Sequence, residues 1–215
     1  MELNKIEVTI PVHAMQLNGI LQIPDNALGI VLFAHGSGSS RFSIRNQYVS
    51  TILNKARVAT LLFDLLTPQE EEIDEQTRQH RFNIELLASR LVAATDWLAE
   101  QPHTHLLAPA YFGASTGGGA ALQAAALRPE RIKAVVSRGG RPDLAGAALP
   151  HVIAPTLLIV GGNDFPVIEM NKQAIKEMHC VSKLTIVPGA SHLFEEAGTL
   201  DVAATLAREW FVKYL

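Results

Sequence analysis

The chain has 215 residues, 48% of them hydrophobic and 18% charged, with a formal net charge of −3. That much apolar content supports a sizeable core and excludes wholesale disorder. The slightly acidic balance excludes the basic face that nucleic-acid binding requires.

No stretch reaches the roughly 18 apolar residues of a membrane span. The opening Met1-Glu2-Leu3-Asn4-Lys5-Ile6-Glu7 lacks the unbroken apolar run of a signal peptide. Cys180 is the one cysteine, so no intrachain disulfide can form and a reducing compartment is favoured. The expectation is a soluble cytoplasmic protein, one domain over residues 1–215, whose partner is a small-molecule substrate and neither a nucleic acid nor a membrane. Its oligomeric state is left open.

In chain order, residues 6–12 and 17–23 are β-prone and predict an antiparallel opening pair. The unbroken apolar run 29–34 ends at His35-Gly36 and predicts a strand buried on both faces. Val49, Ile52, Leu53 and Ala56 fall at helical spacing, and 58–66 is a second buried strand. The acidic stretch from Gln69 to Arg81, with Glu70, Glu71, Glu72, Asp74 and Glu75, reads as a solvated loop leading into a helix. A movable flap over a pocket is its alternative. Leu87, Leu91, Ala94 and Leu98 mark a helix, and 106–112 a third strand. Beyond these the pattern predicts a small-residue helix at 116–127, strands at 132–137, 156–160 and 184–187, and helices at 167–178 and 199–214, with Pro166 suited to a first helical turn. Such alternation implies an α/β fold: a mostly parallel central sheet with helices on both faces and no sizeable lid domain. In such sheets reactive groups collect at the carboxyl ends of the strands.

One turn stands where that rule places chemistry. Gly113-Ala114-Ser115-Thr116-Gly117 follows a strand and opens a helix, the context of a G-x-S-x-G nucleophile elbow. The flanking glycines admit a turn too tight for side chains, and the helix N-terminus offers free N–H groups to a developing oxyanion. Gly113, Gly117 and Gly119 also fit a dinucleotide loop, but this turn lies mid-chain. The next strand ends in Ser137-Arg138 rather than an acid, and no Tyr precedes a Lys by four residues.

A serine needs a base, and the base an orienting carboxylate. His192 follows the last strand in Pro188-Gly189-Ala190-Ser191-His192, whereas His151 and His179 precede strands. Asp164 ends the preceding strand in Gly161-Gly162-Asn163-Asp164 and is preferred to Asp143. Ser37, in the small-residue loop after His35, and Thr116 are the expected oxyanion donors through their backbone amides, so deleting either side chain is expected to do little. His35 is read as holding that loop. Arg41, Arg45, Arg138 and Arg141 flank the same rim, either to hold a substrate carboxylate or phosphate or as ordinary surface charge. No cofactor is called for. The close pair His103 and His105 has no further ligand at metal spacing, so no metal is expected.

Together, Leu32 to Ser39, Gly113 to Gly117, Gly161 to Asp164 and Pro188 to His192 resemble the dienelactone-hydrolase-like branch of the α/β-hydrolases. The resemblance runs over nearly the whole chain. It implies a compact, lidless, cofactor-free fold that hydrolyses esters or lactones. Dienelactone hydrolase itself has a cysteine nucleophile; this chain has Ser115 at that position, and Cys180 reads as a buried structural residue away from any elbow. Ser137-Arg138-Gly139-Gly140-Arg141 is also similar to hydrolase domains fused to phosphoribosyltransferase domains. The expected function is hydrolysis of a small ester, thioester or lactone by Ser115, His192 and Asp164. The alternative is a non-catalytic binding or sensing module on the same fold.

Overall fold

The computed structural model describes residues 5–215. Residues 1–4, part of the segment read above as lacking a signal sequence, lie outside them. The strands are β1 (Ile6–Val12), β2 (Met15–Gln22), β3 (Ile30–Ala34), β4 (Ala59–Phe63), β5 (Pro109–Ala114), β6 (Val135–Arg138), β7 (Thr156–Gly161) and β8 (Ser182–Val187). They form one sheet in the order β1-β2-β4-β3-β5-β6-β7-β8. β2 runs antiparallel to both of its neighbours, and every pairing from β4 through β8 is parallel.

Parallel strands at the centre are apolar without interruption because both faces are covered. β3 and β4 are buried at every position. Their alternate side chains feed two cores. Val31, Phe33 and Phe112 face α1 (Ile44–Lys55) and α6 (Thr199–Tyr214), whose Val49, Leu53, Ala207 and Phe211 close that side. Leu32, Leu61 and Tyr111 face α3 (Ile84–Glu100) and α4 (Thr116–Leu127), which contribute Leu87, Leu91, Ala121 and Leu122. The alanines of α4 let its axis lie close to the sheet, which fixes where its N-terminus points. α5 (Phe165–Glu177) follows β7 with Pro166 in its first turn, and a 3-10 segment, Pro142–His151, links β6 to β7. Among the described residues no helix is long and apolar enough to cross a membrane.

The acidic stretch corrects the sequence reading. Residues 68–77 are not a loop but a helix, α2 (Pro68–Thr77). Thr67 and Glu70 form a reciprocal capping box, with Thr67 Oγ1 accepting from Glu70 N–H at 3.2 Å and the Glu70 carboxylate accepting from Thr67 N–H at 2.8 Å. Glu70 also accepts from Arg90 at 2.7 Å, and buried Asp74 pairs with Arg81. The acids that suggested solvation are therefore the helix's start signal and its anchors.

Phe33 and Phe112 are cross-strand partners with ring centroids 4.9 Å apart. They join β3 and β5, the two strands that lead into the 36–37 loop and the serine turn. Replacing the fully buried Phe112 by Ala is expected to cost about 3–5 kcal/mol. Urea unfolding should show it as a lower midpoint at unchanged slope.

Candidate active site

Ser115 joins β5 to α4 with φ 52° and ψ −123°, a left-handed backbone that an L-residue adopts only under constraint. The constraint is the packing of its neighbours. A Cβ on Gly117 would sit 2.1 Å from the Ala34 carbonyl oxygen, and one on Gly113 2.4 Å from the Gly117 carbonyl oxygen. Ser115 N–H donates to the Arg138 carbonyl at 3.3 Å, and its carbonyl accepts from Gly118 N–H at 2.9 Å and Arg141 N–H at 3.0 Å.

The turn presents the Ser115 hydroxyl to His192 Nε2 at 3.2 Å, and His192 Nδ1 lies 2.6 Å from Asp164 Oδ2. A carboxylate only accepts, so Nδ1 carries the proton and Nε2 is free to accept from the serine. The Asp164 side chain is 12% exposed and that of His192 38%, so the acid is screened while the imidazole remains reachable from solvent.

The His192 loop is held on three sides. Ser191 N–H donates to the Glu196 carboxylate at 2.9 Å, Asn163 Nδ2 donates to the Gly189 carbonyl at 3.0 Å, and Asn163 N–H donates to the Ala190 carbonyl at 2.9 Å. These contacts were not anticipated from the sequence. Glu196 and Asn163 each lie close in sequence to a predicted site residue, and that nearness was the one available signal. Asp143 is engaged elsewhere, in a two-pronged ion pair with Arg141 at 2.7 and 2.8 Å.

The loop after β3 is fixed by His35, as expected. Its Nδ1–H donates to the Gly36 carbonyl at 2.9 Å, and its Nε2 accepts from Leu65 N–H at 3.0 Å. Burial pushes its pKa below the ordinary histidine value, outweighing the opposing pull of the Gly36 carbonyl and of Asp64, so it is neutral. Ser37 is engaged through its backbone amide, while Thr116 adds a side-chain contact that the sequence reading did not include. Ser37 N–H donates to Thr116 Oγ1 at 2.9 Å. The Thr116 side chain thus occupies the Ser37 amide and pins the loop to the start of α4. Ser115, capping that helix, makes no side-chain hydrogen bond to its first turn, which leaves first-turn amides facing the serine.

The four arginines separate. Arg41 is paired with Asp64 through both its backbone N–H and its guanidinium, and Arg141 is taken by Asp143; neither borders the cavity at Ser115. Arg45 and Arg138 do. They line a cavity of about 260 Å³ together with Ser115, His192, Ser39, Ser43 and Asn46. A second cavity of about 230 Å³ lies on the other side of the 36–39 loop, bordered by Glu71, Asp74, Glu75 and Arg81. The acidic stretch therefore borders a pocket, though as part of a capped helix. Cys180 is half-buried rather than buried, and lies 3.9 Å from Thr156 Oγ1.

Comparison with known proteins gives the family and the fold. The model of the dienelactone hydrolase family matches residues 17–212. A crystal structure of dienelactone hydrolase from Anabaena variabilis is 61% identical, covers 100% of both chains and superposes with a TM-score of 0.98. Est1E from Butyrivibrio proteoclasticus, 18% identical over 97% of this chain and 98% of its own, superposes at 0.80 and shares the fold, the α/β-hydrolase fold of these esterases. Two Mycobacterium tuberculosis proteins that carry a provisional phosphoribosyl transferase name are 56% identical over 209 residues, 97% of this chain but 46% of theirs. The chain thus spans about half the length of the curated relatives it matches.

The buried neutral His35 makes stability depend on pH. Its folded pKa lies below its unfolded one, so the unfolded chain binds the extra proton first. The contribution of His35 is whole above about pH 6.5 and is lost as pH falls through the folded value. Unfolding free energies measured from pH 7.5 to 5 should therefore fall less steeply in His35→Gln than in the wild type, by at most about 1.4 kcal/mol per pH unit.

Proposed function

The chain belongs to the dienelactone hydrolase family, and we propose that it is a serine hydrolase cleaving a small ester, thioester or lactone through an acyl-enzyme. One observation carries the proposal: a serine, a histidine and an aspartate from three strand ends hydrogen-bonded in series at one rim of the sheet. Residues 77 and 28 positions apart do not meet in that order and geometry to serve the core.

The chemistry follows from the positions. Ser115 Oγ attacks the substrate carbonyl carbon while His192 Nε2 takes the hydroxyl proton. Asp164 holds the ring by its Nδ1–H and stabilises the imidazolium that forms. The carbonyl oxygen becomes an oxyanion and is received by the Thr116 amide and by the Ser37 amide, the latter exchanging its bond to Thr116 Oγ1 for the new charge. His192 then returns the proton to the leaving oxygen or sulfur. Water, deprotonated by the same imidazole, opens the acyl-serine and regenerates the hydroxyl. All of these groups come from the chain, so the proposed reaction uses no cofactor or metal.

The dienelactone hydrolase name of the 61% identical structure supports the reaction class. The transferase name belongs to proteins about twice as long, and the serine hydrolase is proposed for the part of them that this chain matches.

Ser115→Ala is expected to lower kcat/KM on short p-nitrophenyl esters by at least about 10³-fold, and Asp164→Asn by about 10²–10⁴-fold. A fluorophosphonate probe should label the native protein and not Ser115→Ala. Undiminished turnover by Ser115→Ala would exclude this reading, and failure of the native protein to label would favour a binding module.

A further inference from the structure

We propose that Arg138 and Arg45 form an anion subsite beside Ser115, and that the ester hydrolysed there carries a phosphate monoester; the second clause rests on the hydrolase reading above. Arg138 closes β6 in register with Ala114, and its carbonyl accepts the Ser115 N–H, so its position is tied to the serine turn. The residue is 7% exposed and lines the cavity of Ser115 and His192. Its Nε and Nη1 are both buried without a hydrogen-bond partner. The Phe194 ring lies 5.7 Å from the guanidinium carbon.

Arg41 and Arg90, also largely buried, are each paired with a carboxylate, Asp64 and Glu70. Arg138 has none among the described residues. Burial, followed by the repulsion of Arg45, lowers its pKa to about 10, which leaves it cationic at neutral pH. A charge buried without a counter-charge is unfavourable for folding, and here the residue that carries it lines a cavity holding a nucleophile.

The rest of the cavity wall points to the same ligand. Arg45, in the first turn of α1, lines it too. Among the described residues its only carboxylate contact is exposed Glu195, at 3.6 Å. Ser39, Ser43 and Asn46 add hydroxyl and amide groups, and no Asp or Glu among the described residues lines this cavity. Two guanidinium groups meet a dianion with charge balance, whereas one carboxylate neutralises a single arginine. Three phosphate oxygens also accept from two forks and neighbouring hydroxyls at once.

The test uses matched esters bearing a terminal phosphate, carboxylate or hydroxyl, placed in turn on the acyl and on the alcohol part. Melting temperatures are read with inorganic phosphate against chloride at equal ionic strength. In at least one placement the wild type should cleave the phosphate ester with kcat/KM about tenfold or more above the hydroxyl ester, and above the carboxylate ester. Arg138→Met and Arg45→Gln should each lose that preference. Phosphate should raise the melting temperature of wild type and Ser115→Ala alike but not of Arg138→Met, which should itself melt higher than wild type in chloride. Arg45→Gln, changed at a surface position, keeps the test decisive if Arg138→Met fails to fold. Equal rates on phosphate and hydroxyl esters, a preference for the carboxylate ester, or no phosphate-induced rise in the wild type would overturn the subsite. If no ester is cleaved while phosphate still raises the melting temperature through Arg138, the hydrolase reading falls and the anion site stands.

Discussion

The carbonyl oxygen of Ala34 lies where a side chain at position 117 would have to go. Because Gly117 yields that space, the first turn of α4 can press flush against the end of β3, and the rest of the rim follows from the fit. Ser115 is driven to φ 52°, a strain of order 1–3 kcal/mol for a non-glycine residue. The 36–37 loop comes close enough for the Ser37 amide to reach Thr116 Oγ1, and Gly36 lies so near that a Cβ there would be 3.1 Å from Ser115 Cβ. The strain is sustained by the stack beneath it. Phe33 and Phe112 are almost fully buried, on the two strands that end at this contact. Each buries enough apolar surface to outweigh a turn of this kind.

Buried charges are handled in two ways. Around α2 each meets a counter-charge or a capping partner: Thr67 with Glu70, Glu70 with Arg90, Asp74 with Arg81 and the amides of His80 and Arg81, although Nε and Nη1 of Arg90 are buried without a partner. That network gives an otherwise polar ten-residue helix a reason to stay on the body, since its apolar content alone would not hold it. At β6 the counter-charge itself is missing among the described residues. Arg138 is buried with two nitrogens unpartnered, and the hydroxyl of its neighbour Ser137 is likewise buried and unpaired. Folding favours the first arrangement and opposes the second. The contrast separates polar residues that build the scaffold from those whose position the fold tolerates at a cost in stability.

The order of elements was legible because each carries a local signal: apolar runs for β3, β4 and β7, helical spacing in α3, and small residues in α4. The serine turn, Asp164 and His192 were legible because each sits within a short loop past a strand end, where chain order alone names the rim. What was not legible depends on partners remote in sequence. Arg41 and Arg45 look alike in the chain, four residues apart, yet Asp64 from the end of β4 claims one and leaves the other at the cavity. Arg138 and Arg141 divide likewise, because Asp143 happens to lie within reach of only the second. The misreading of α2 is of another kind. Thr67-Pro68-Gln69-Glu70 is a visible capping box with proline in the first turn, and the density of acid after it obscured a helix start already written there.

His35 and His192 show how one rim assigns opposite roles to one residue type. Both follow parallel strands, and both stand beside the serine turn. Both nitrogens of His35 are spent on backbone groups, and its Nε2 accepts the Leu65 amide. Protonating it would break that bond and place a cation where burial already lowers the pKa. Such a ring can anchor a loop but cannot cycle a proton. His192 spends one nitrogen on a carboxylate and turns the other to a hydroxyl at a solvent-reachable surface. Its anchor leaves the second nitrogen free. His35 holds the loop after β3, and His192 faces the Ser115 hydroxyl. The division of labour is set by what lies behind each ring, not by the strand end that both share.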